Sequence, residues 1–276
     1  MFVNRIAVFT ENGQGGNPAG VVLVDTLPSR VEMQQLALEV GYSETVFSAY
    51  DGNMWQTRYF SPESEVPFCG HATIALGAVF AREKGNGIYR LALLEGAIEV
   101  EARKEGEGYY STLKSLPTRN SVVPEIVLNE ALELFGYEPA DLDSKLPVRM
   151  MHAGADHLHL PLRTRASLSA MTYNLSNGRS FMNKHGFVTV AFTWREADNL
   201  FHTRNAFASG GVLEDPATGA AAAAFVGMLR DEGLCPHQEI IILQGADMGS
   251  PSRITVQFDK HHGTPVSVSG ESTRIG

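Results

Sequence analysis

Short runs of large apolar residues, each closed by glycine, proline or a polar loop, dominate the hydrophobic pattern of this chain, and they predict many strands. FVNRIAVF (2–9) is the first. GVVLV (20–24) reads as its partner, with the polar, glycine-laden stretch 10–19 as the loop between them. A helix follows, because Ser29 and Glu32 form the S-x-x-E signature in which two side chains reciprocally satisfy the first backbone N–H groups. Met33, Leu36, Ala37 and Val40 share one helical face, and Gly41 supplies the stop. Strand-like segments resume at 43–49 and 55–60. A second helix is predicted from about Gly70 to Lys84, ended by Gly85 and Gly87, and strands return at 88–94, 97–103 and 109–113.

The second half follows the first in outline. A helix around 125–135 stops at Gly136, strands fall near 146–162, 187–194 and 200–204, another helix runs from Gly219 to Gly233, and strands close the chain near 239–244, 253–259 and 265–270. Many short strands with few, separated helices predict an α+β fold rather than a doubly wound parallel sheet. The segments 65–83 (EVPFCGHATIALGAVFARE) and 214–232 (EDPATGAAAAAFVGMLRDE), aligned at an offset of 149, share Glu, Pro, Gly, two Ala and a final Glu at matching places. Each reads as a proline, two residues, a glycine and a small-residue helix, around which a sheet can wrap closely. Two pseudo-duplicated lobes are expected, 1–118 and 119–276, joined in the stretch 114–124 that contains Pro117 and Pro124, with the last strand able to return to the first lobe.

Composition narrows the class. Hydrophobic residues make up 43% and charged ones 19% of 276 residues, a globular balance that argues against disorder. The net charge of −9 lacks the basic footprint of a nucleic-acid binder. No run of eighteen apolar residues suggests a membrane span, and the N-terminus turns polar too soon for a signal peptide, so a cytoplasmic protein is expected. Two cysteines make neither a disulfide scaffold nor a four-cysteine zinc site.

Candidate chemistry gathers at the two glycine-led helices. A helix start presents unpartnered N–H groups and the positive end of the dipole, which suits a carboxylate or phosphate. Gly70 and Gly219 either serve that purpose as a pair or simply permit close packing. His71 follows Gly70, where the dipole disfavours an imidazolium. Asp215 precedes Pro216 and reads either as a site residue or as an N-cap. Glu44, in GYSETVF, shares a strand face with Tyr42 and Val46; burial of that face would raise its pKa toward the range of a group that both takes and gives protons.

The cysteines exclude a two-thiol racemase, because Cys235 lies past the second helix and not at its start. Cys69, beside the first start, remains a candidate nucleophile, but two positions apart on a helix Cys69 and His71 would diverge by about 200°. His152, His157 and His159 have no partner at zinc spacing, so no metal is expected, and the glycines at 13–20 do not fit a dinucleotide fingerprint.

GNPAGVV (16–22), GYSETVF (41–47), RYFSPESEVPFCGHATIALG (58–77) and EDPATGAA (214–221) together resemble the phenazine-biosynthesis PhzF-like isomerase family, in order and over nearly the whole chain. The resemblance implies the diaminopimelate-epimerase-like fold, in which each lobe wraps a sheet around a central helix. It implies an enzyme without cofactor or metal, usually a homodimer, that moves a proton between carbons of a small unsaturated carboxylic acid. By motif position, Glu44 would be the acid/base, with His71 and Asp215 as polar partners. Backbone groups of Gly70, His71, Gly219 and Ala220 would hold the substrate's anion, and Asn17 and Ser43 would line the pocket. One position departs from the family: Ala220 stands where the phenazine enzymes carry serine, which removes a donor and acceptor and implies different substrate contacts. Two rivals are a small-acid-binding protein of the same fold without catalysis, and a hydrolase or transferase using Cys69.

Overall fold

The computed structural model describes residues 1–94, 96–106 and 108–275, and the chain divides into two compact units: Met1–Lys114 with Ser269–Gly276, and Ser115–Val268. The first unit contains β1 (Asn4–Thr10), β2 (Asn17–Val24), α1 (Arg30–Val40), β3 (Thr45–Tyr50), β4 (Trp55–Phe60), β5 (Glu65–Val66), α2 (Gly70–Glu83), β6 (Gly87–Ala92), β7 (Ala97–Glu105) and β8 (Gly108–Lys114). The second contains β9 (Arg119–Val122), α3 (Glu125–Phe135), β10 (Arg149–His152), β11 (Asp156–Pro161), α4 (Arg165–Ser169), α5 (Leu175–His185), β12 (Thr189–Ala197), β13 (Leu200–Ala206), β14 (Glu214–Asp215), α6 (Gly219–Asp231), β15 (Glu239–Gln244) and β16 (Ser252–Gln257). The last strand, β17 (Ser267–Arg274), runs antiparallel to β1, with Ile6 opposite Arg274 and Val8 opposite Ser272.

The internal repeat read from the sequence recurs in the strand pairing. In the first unit β1 is antiparallel to β2, β2 parallel to β3, β3 antiparallel to β4, β4 antiparallel to β5 and parallel to β6, and β6 antiparallel to β7. In the second unit β10, β11, β12, β13, β14, β15 and β16 repeat that sequence of orientations strand for strand. Even a buried ion pair is built twice. Glu65, on β5, pairs with Arg58 of β4, and Glu214, on β14, pairs with Arg204 of β13 at 2.6 Å; each carboxylate side chain is only 6% exposed. The pairs pin the short strand that leads into each central helix.

Those helices, α2 and α6, have no solvent face along most of their length. Every residue from Ala72 to Ala81, and again from Ala221 to Arg230, is buried. Strands β1, β2, β3, β7 and β8 pack on α2, while β9, β10, β11 and β16 pack on α6. The surrounding strands approach closest where the helices carry Gly. A Cβ placed on Gly77 would meet Ser111 Oγ at 2.5 Å and Ser111 Cβ at 2.9 Å, and one on Gly227 would meet Thr118 Cβ at 2.6 Å.

Local signals explain most element ends. The capping box at Ser29 and Glu32 is formed, and Gly41, Gly136 and Gly186 close α1, α3 and α5 in the left-handed conformation. Two helices, α4 and α5, occupy a stretch in which the sequence pattern predicts no element. In α5 (LSNGRSFMNKH) only Gly178, Phe181 and Met182 are buried, too few apolar positions to register as a stripe. β2 begins at Asn17, three residues before the predicted strand, because Pro18 tolerates a strand position opposite Ala7. Among the described residues, no helix is long and apolar enough to cross a membrane.

The histidines on β11 are structural. His159 is fully buried with both ring nitrogens engaged, Nδ1 donating to the Pro147 carbonyl at 2.9 Å and Nε2 accepting from Thr193 Oγ1 at 2.8 Å. Burial pushes the imidazoles of both His157 and His159 down to about 4.

Replacing Gly77 with Ala is expected to destabilise the fold by about 1–3 kcal/mol through overpacking against Ser111, read as a lower denaturation midpoint with an unchanged slope. The buried histidines set a pH dependence. In the unfolded chain they take up protons near pH 6.5 but in the fold only near 4, so their contribution is complete above the unfolded value and is lost as pH falls between the two. Each is expected to remove about 3 kcal/mol of stability by pH 4, visible as a urea midpoint that falls steeply from pH 6.5 to 4 and more shallowly in His157→Gln.

Candidate active site

Each central helix begins without a side-chain cap. The residue at the cap of α2 is Cys69, in an extended conformation (φ −144°, ψ 117°), and that of α6 is Thr218; these positions match at the offset of 149, and neither side chain accepts from its helix. The first bonds of the two helices run from Thr73 N–H to the Cys69 carbonyl and from Ala222 N–H to the Thr218 carbonyl. A threonine would ordinarily cap the helix with its hydroxyl oxygen. Here the Thr218 hydroxyl oxygen makes no cap bond; it accepts from Gln244 Nε2 at 3.1 Å, and the hydroxyl gives its proton to Asp215 Oδ2 at 2.6 Å. The N–H groups at both starts therefore keep the electrostatic character of an anion site.

Around the start of α2 three polar side chains converge on one imidazole. His71 Nε2 lies 3.4 Å from Glu44 Oε2 and 3.4 Å from Ser43 Oγ, and Nδ1 lies 3.3 Å from Cys69 Sγ. The cluster is half-sheltered, with the His71 side chain 11% and the Glu44 side chain 20% exposed. Its backbone is held on both sides. The left-handed Gly41 (φ 71°) turns the chain out of α1, and the Glu44 carbonyl accepts the Gly20 N–H at 3.1 Å, carrying the β2–β3 pairing back one residue. On the helix side, Thr73 donates its hydroxyl to the Cys69 carbonyl at 2.7 Å and accepts from the Tyr59 hydroxyl at 2.7 Å. Burial holds the Tyr59 phenol well above its usual range, so it stays a donor.

Two expectations need correction. Glu44 does not belong to the strand face of Tyr42 and Val46, since β3 starts at Thr45; the carboxyl projects from the connection between α1 and β3, which frees it from strand alternation. Nor do Cys69 and His71 diverge. The helical rotation does not apply because Cys69, as cap residue, lies outside the helix, and its extended backbone brings the sulfur to the ring. Glu44, Cys69 and His71 each offer a ligand atom, all within 4.8 Å of one another, a donor set of the kind that zinc uses. The ring, however, turns Nδ1 to the sulfur and Nε2 to the carboxylate, so it bridges those groups rather than joining them around one point.

The second unit builds a different surface on the same plan. Asp215 lies in β14 opposite Asn205 and is not the N-cap of α6, which is Thr218. Gly219 and Ala220 are the first two residues of α6, and Ala220 occupies the place that His71 holds in α2. Beneath them lies Gln244, 1% exposed at the end of β15, which donates to the Asp215 carbonyl at 2.7 Å and to Thr218 Oγ1 at 3.1 Å. The structure thus brings Ser43, Glu44, Gly70 and His71 together in the first unit, while Asp215, Gly219 and Ala220 stand in the second; Asn17 is buried at the first position of β2, opposite Val8. Sequence reasoning missed Gln244, which sits at the end of an apolar run (IIILQ) with nothing local to mark it.

Residues 6–275 match the profile of the "Phenazine biosynthesis-like protein" family. An "Uncharacterized isomerase" of Deinococcus radiodurans is 31% identical over 267 residues, which cover 92% of this chain and 86% of that protein. The "Trans-2,3-dihydro-3-hydroxyanthranilate isomerase" of Pseudomonas chlororaphis is 29% identical over 271 residues, covering 95% of this chain and 92% of the relative. Among solved structures, a PhzF-family phenazine biosynthesis protein of Bacillus anthracis superposes with a TM-score of 0.87 over 99% of this chain and 96% of that one; at 22% identity this shows the fold.

Proposed function

The chain belongs to the phenazine biosynthesis-like family, and we propose that it is an isomerase that moves a proton between carbons of a small carboxylic acid, with Glu44 as the acid/base. The observation that carries the reading is the contact of Glu44 with His71 at an uncapped helix start. A carbon acid conjugated to a carboxylate loses a proton to Glu44 and becomes a delocalised anion. The N–H groups at the start of α2, with Gly70 and His71, oppose that negative charge. The same carboxyl, now protonated, returns the proton to another carbon of the conjugated system, and the exchange balances without a second reactant. His71 orients the carboxylate through the 3.4 Å approach of Nε2, while Ser43, in reach of the same nitrogen, lines the site. Asn17, Asp215, Gly219 and Ala220 are the remaining proposed substrate contacts. The protein as proposed needs neither metal nor cofactor and works as a homodimer in the cytoplasm.

A second reading draws on the 3.3 Å approach of Cys69 Sγ to His71 Nδ1, which is the geometry of a thiol beside its base. Loss of reactivity on alkylation would be its mark.

Proton NMR in D2O with a panel of small unsaturated carboxylic acids, trans-2,3-dihydro-3-hydroxyanthranilate among them, tests the first reading. Deuterium is expected at a substrate carbon with the wild-type protein, and Glu44→Gln is expected to slow its entry by about a hundredfold or more. Binding of an acid without exchange at any carbon would instead support the non-catalytic binding protein. Cys69→Ala decides between the enzymatic readings: exchange that survives this substitution but not Glu44→Gln places the chemistry on the carboxylate, whereas the opposite pattern moves it to the thiol.

A further inference from the structure

Gln244 sits in a chain of buried residues whose side-chain to side-chain hydrogen bonds run one way, toward Asp215. Its oxygen accepts from Thr203 Oγ1 (3.3 Å), Asn205 Nδ2 (3.1 Å) and the Thr218 N–H (3.2 Å), and its nitrogen donates to the Asp215 carbonyl and Thr218 Oγ1. Upstream, Thr189 Oγ1 donates to Asn205 Oδ1 at 3.2 Å. A hydroxyl has a single proton, so the 2.8 Å contact between Thr189 and His157 Nδ1 is a bond that the ring donates. His157 is thereby fixed with its proton on Nδ1 and a bare Nε2, which has no hydrogen-bond partner among the described residues. Downstream, the single proton of Thr218 goes to Asp215 Oδ2, so the hydroxyl accepts from Gln244. His157, Thr189, Asn205 and Gln244 are each no more than 2% exposed, and none is charged in this arrangement.

We propose that Gln244 is the positioning residue of Asp215, the junction of a one-way hydrogen-bond chain from His157 through Thr189, Asn205 and Thr218 that aims the Asp215 carboxylate and keeps the Thr218 hydroxyl off the helix start. The proposal rests on Asp215 being a substrate contact. Three donors on one amide oxygen polarise the amide and strengthen both bonds that its nitrogen gives. Reversing the Asn205 or Gln244 amide would set donor against donor or acceptor against acceptor along this buried chain, which favours one setting of the groups that reach Asp215.

Two measurements test this. Imidazole nitrogen NMR of the whole protein is expected to show His157 neutral and protonated on Nδ1; a proton on Nε2 overturns the chain's direction whatever the protein's activity. In the deuterium-exchange assay, Gln244→Glu and Gln244→Met, which remove the donors in different ways, are expected to lower kcat by about tenfold or more with KM changed far less. Thr218→Val should lose rate similarly, with Thr218→Ser restoring most of the loss. Folded Gln244 variants that keep the full kcat overturn the positioning role. If the wild-type protein exchanges none of the acids, the proposed function fails, and the nitrogen spectrum still decides the chain.

Discussion

A helix enclosed on every side has to be narrow, and that steric condition governs the rest of this protein. Of the ten successive buried residues in α2 and in α6, half are Ala or Gly, and at those positions a larger side chain would hold the strands away. Each start emerges from a two-residue strand anchored by a buried Arg–Glu pair, and arrives with a cap residue whose side chain is occupied elsewhere. The packing solution that stabilises the core thus also delivers polar backbone groups to a defined place. In this fold the candidate site lies where the core is closed.

One scaffold, used twice, carries unlike chemistry. At matching positions the first unit has Cys69 and His71 and the second has Thr218 and Ala220; where the first has the apolar Val66, the second has Asp215. The support beneath differs in the same way. Under α2 a buried phenol and a threonine hydroxyl hold the Cys69 carbonyl, whereas under α6 an uncharged amide does the corresponding work. A duplicated backbone has kept its strand orientations and ion pairs while the side chains facing the helix starts have diverged.

Much of this was legible in the sequence because the signals are local or periodic. The Ser29–Glu32 box, the stops at Gly41 and Gly136, and the paired E-x-P-x-x-G leaders are each contained within a few residues. The repeat found at an offset of 149 extended to the whole order of strands. What escaped depends on partners far away in the chain or on a single dihedral choice. Helix α5 is too polar to show a stripe. The approach of Cys69 to His71 follows from one extended residue at a cap, which periodicity treats as helix. Gln244 acquires its role from residues 26 to 41 positions away, and no window on the sequence contains them all.

The return of β17 to β1 has a consequence for the order in which the chain can mature on the ribosome. Residues 115–268 form their unit from one continuous stretch, so it can assemble as soon as that stretch has emerged. The first unit, though synthesised earlier, lacks a strand until 269–275 appear, and its opening strand pairs Ile6 with Arg274 across almost the entire length of the chain. Closing such a loop is slow compared with making local contacts. Until then β1 keeps an open edge, the kind of surface on which chains pair wrongly. The cluster around Glu44 and His71 therefore belongs to the part of the molecule that is made first and finished last.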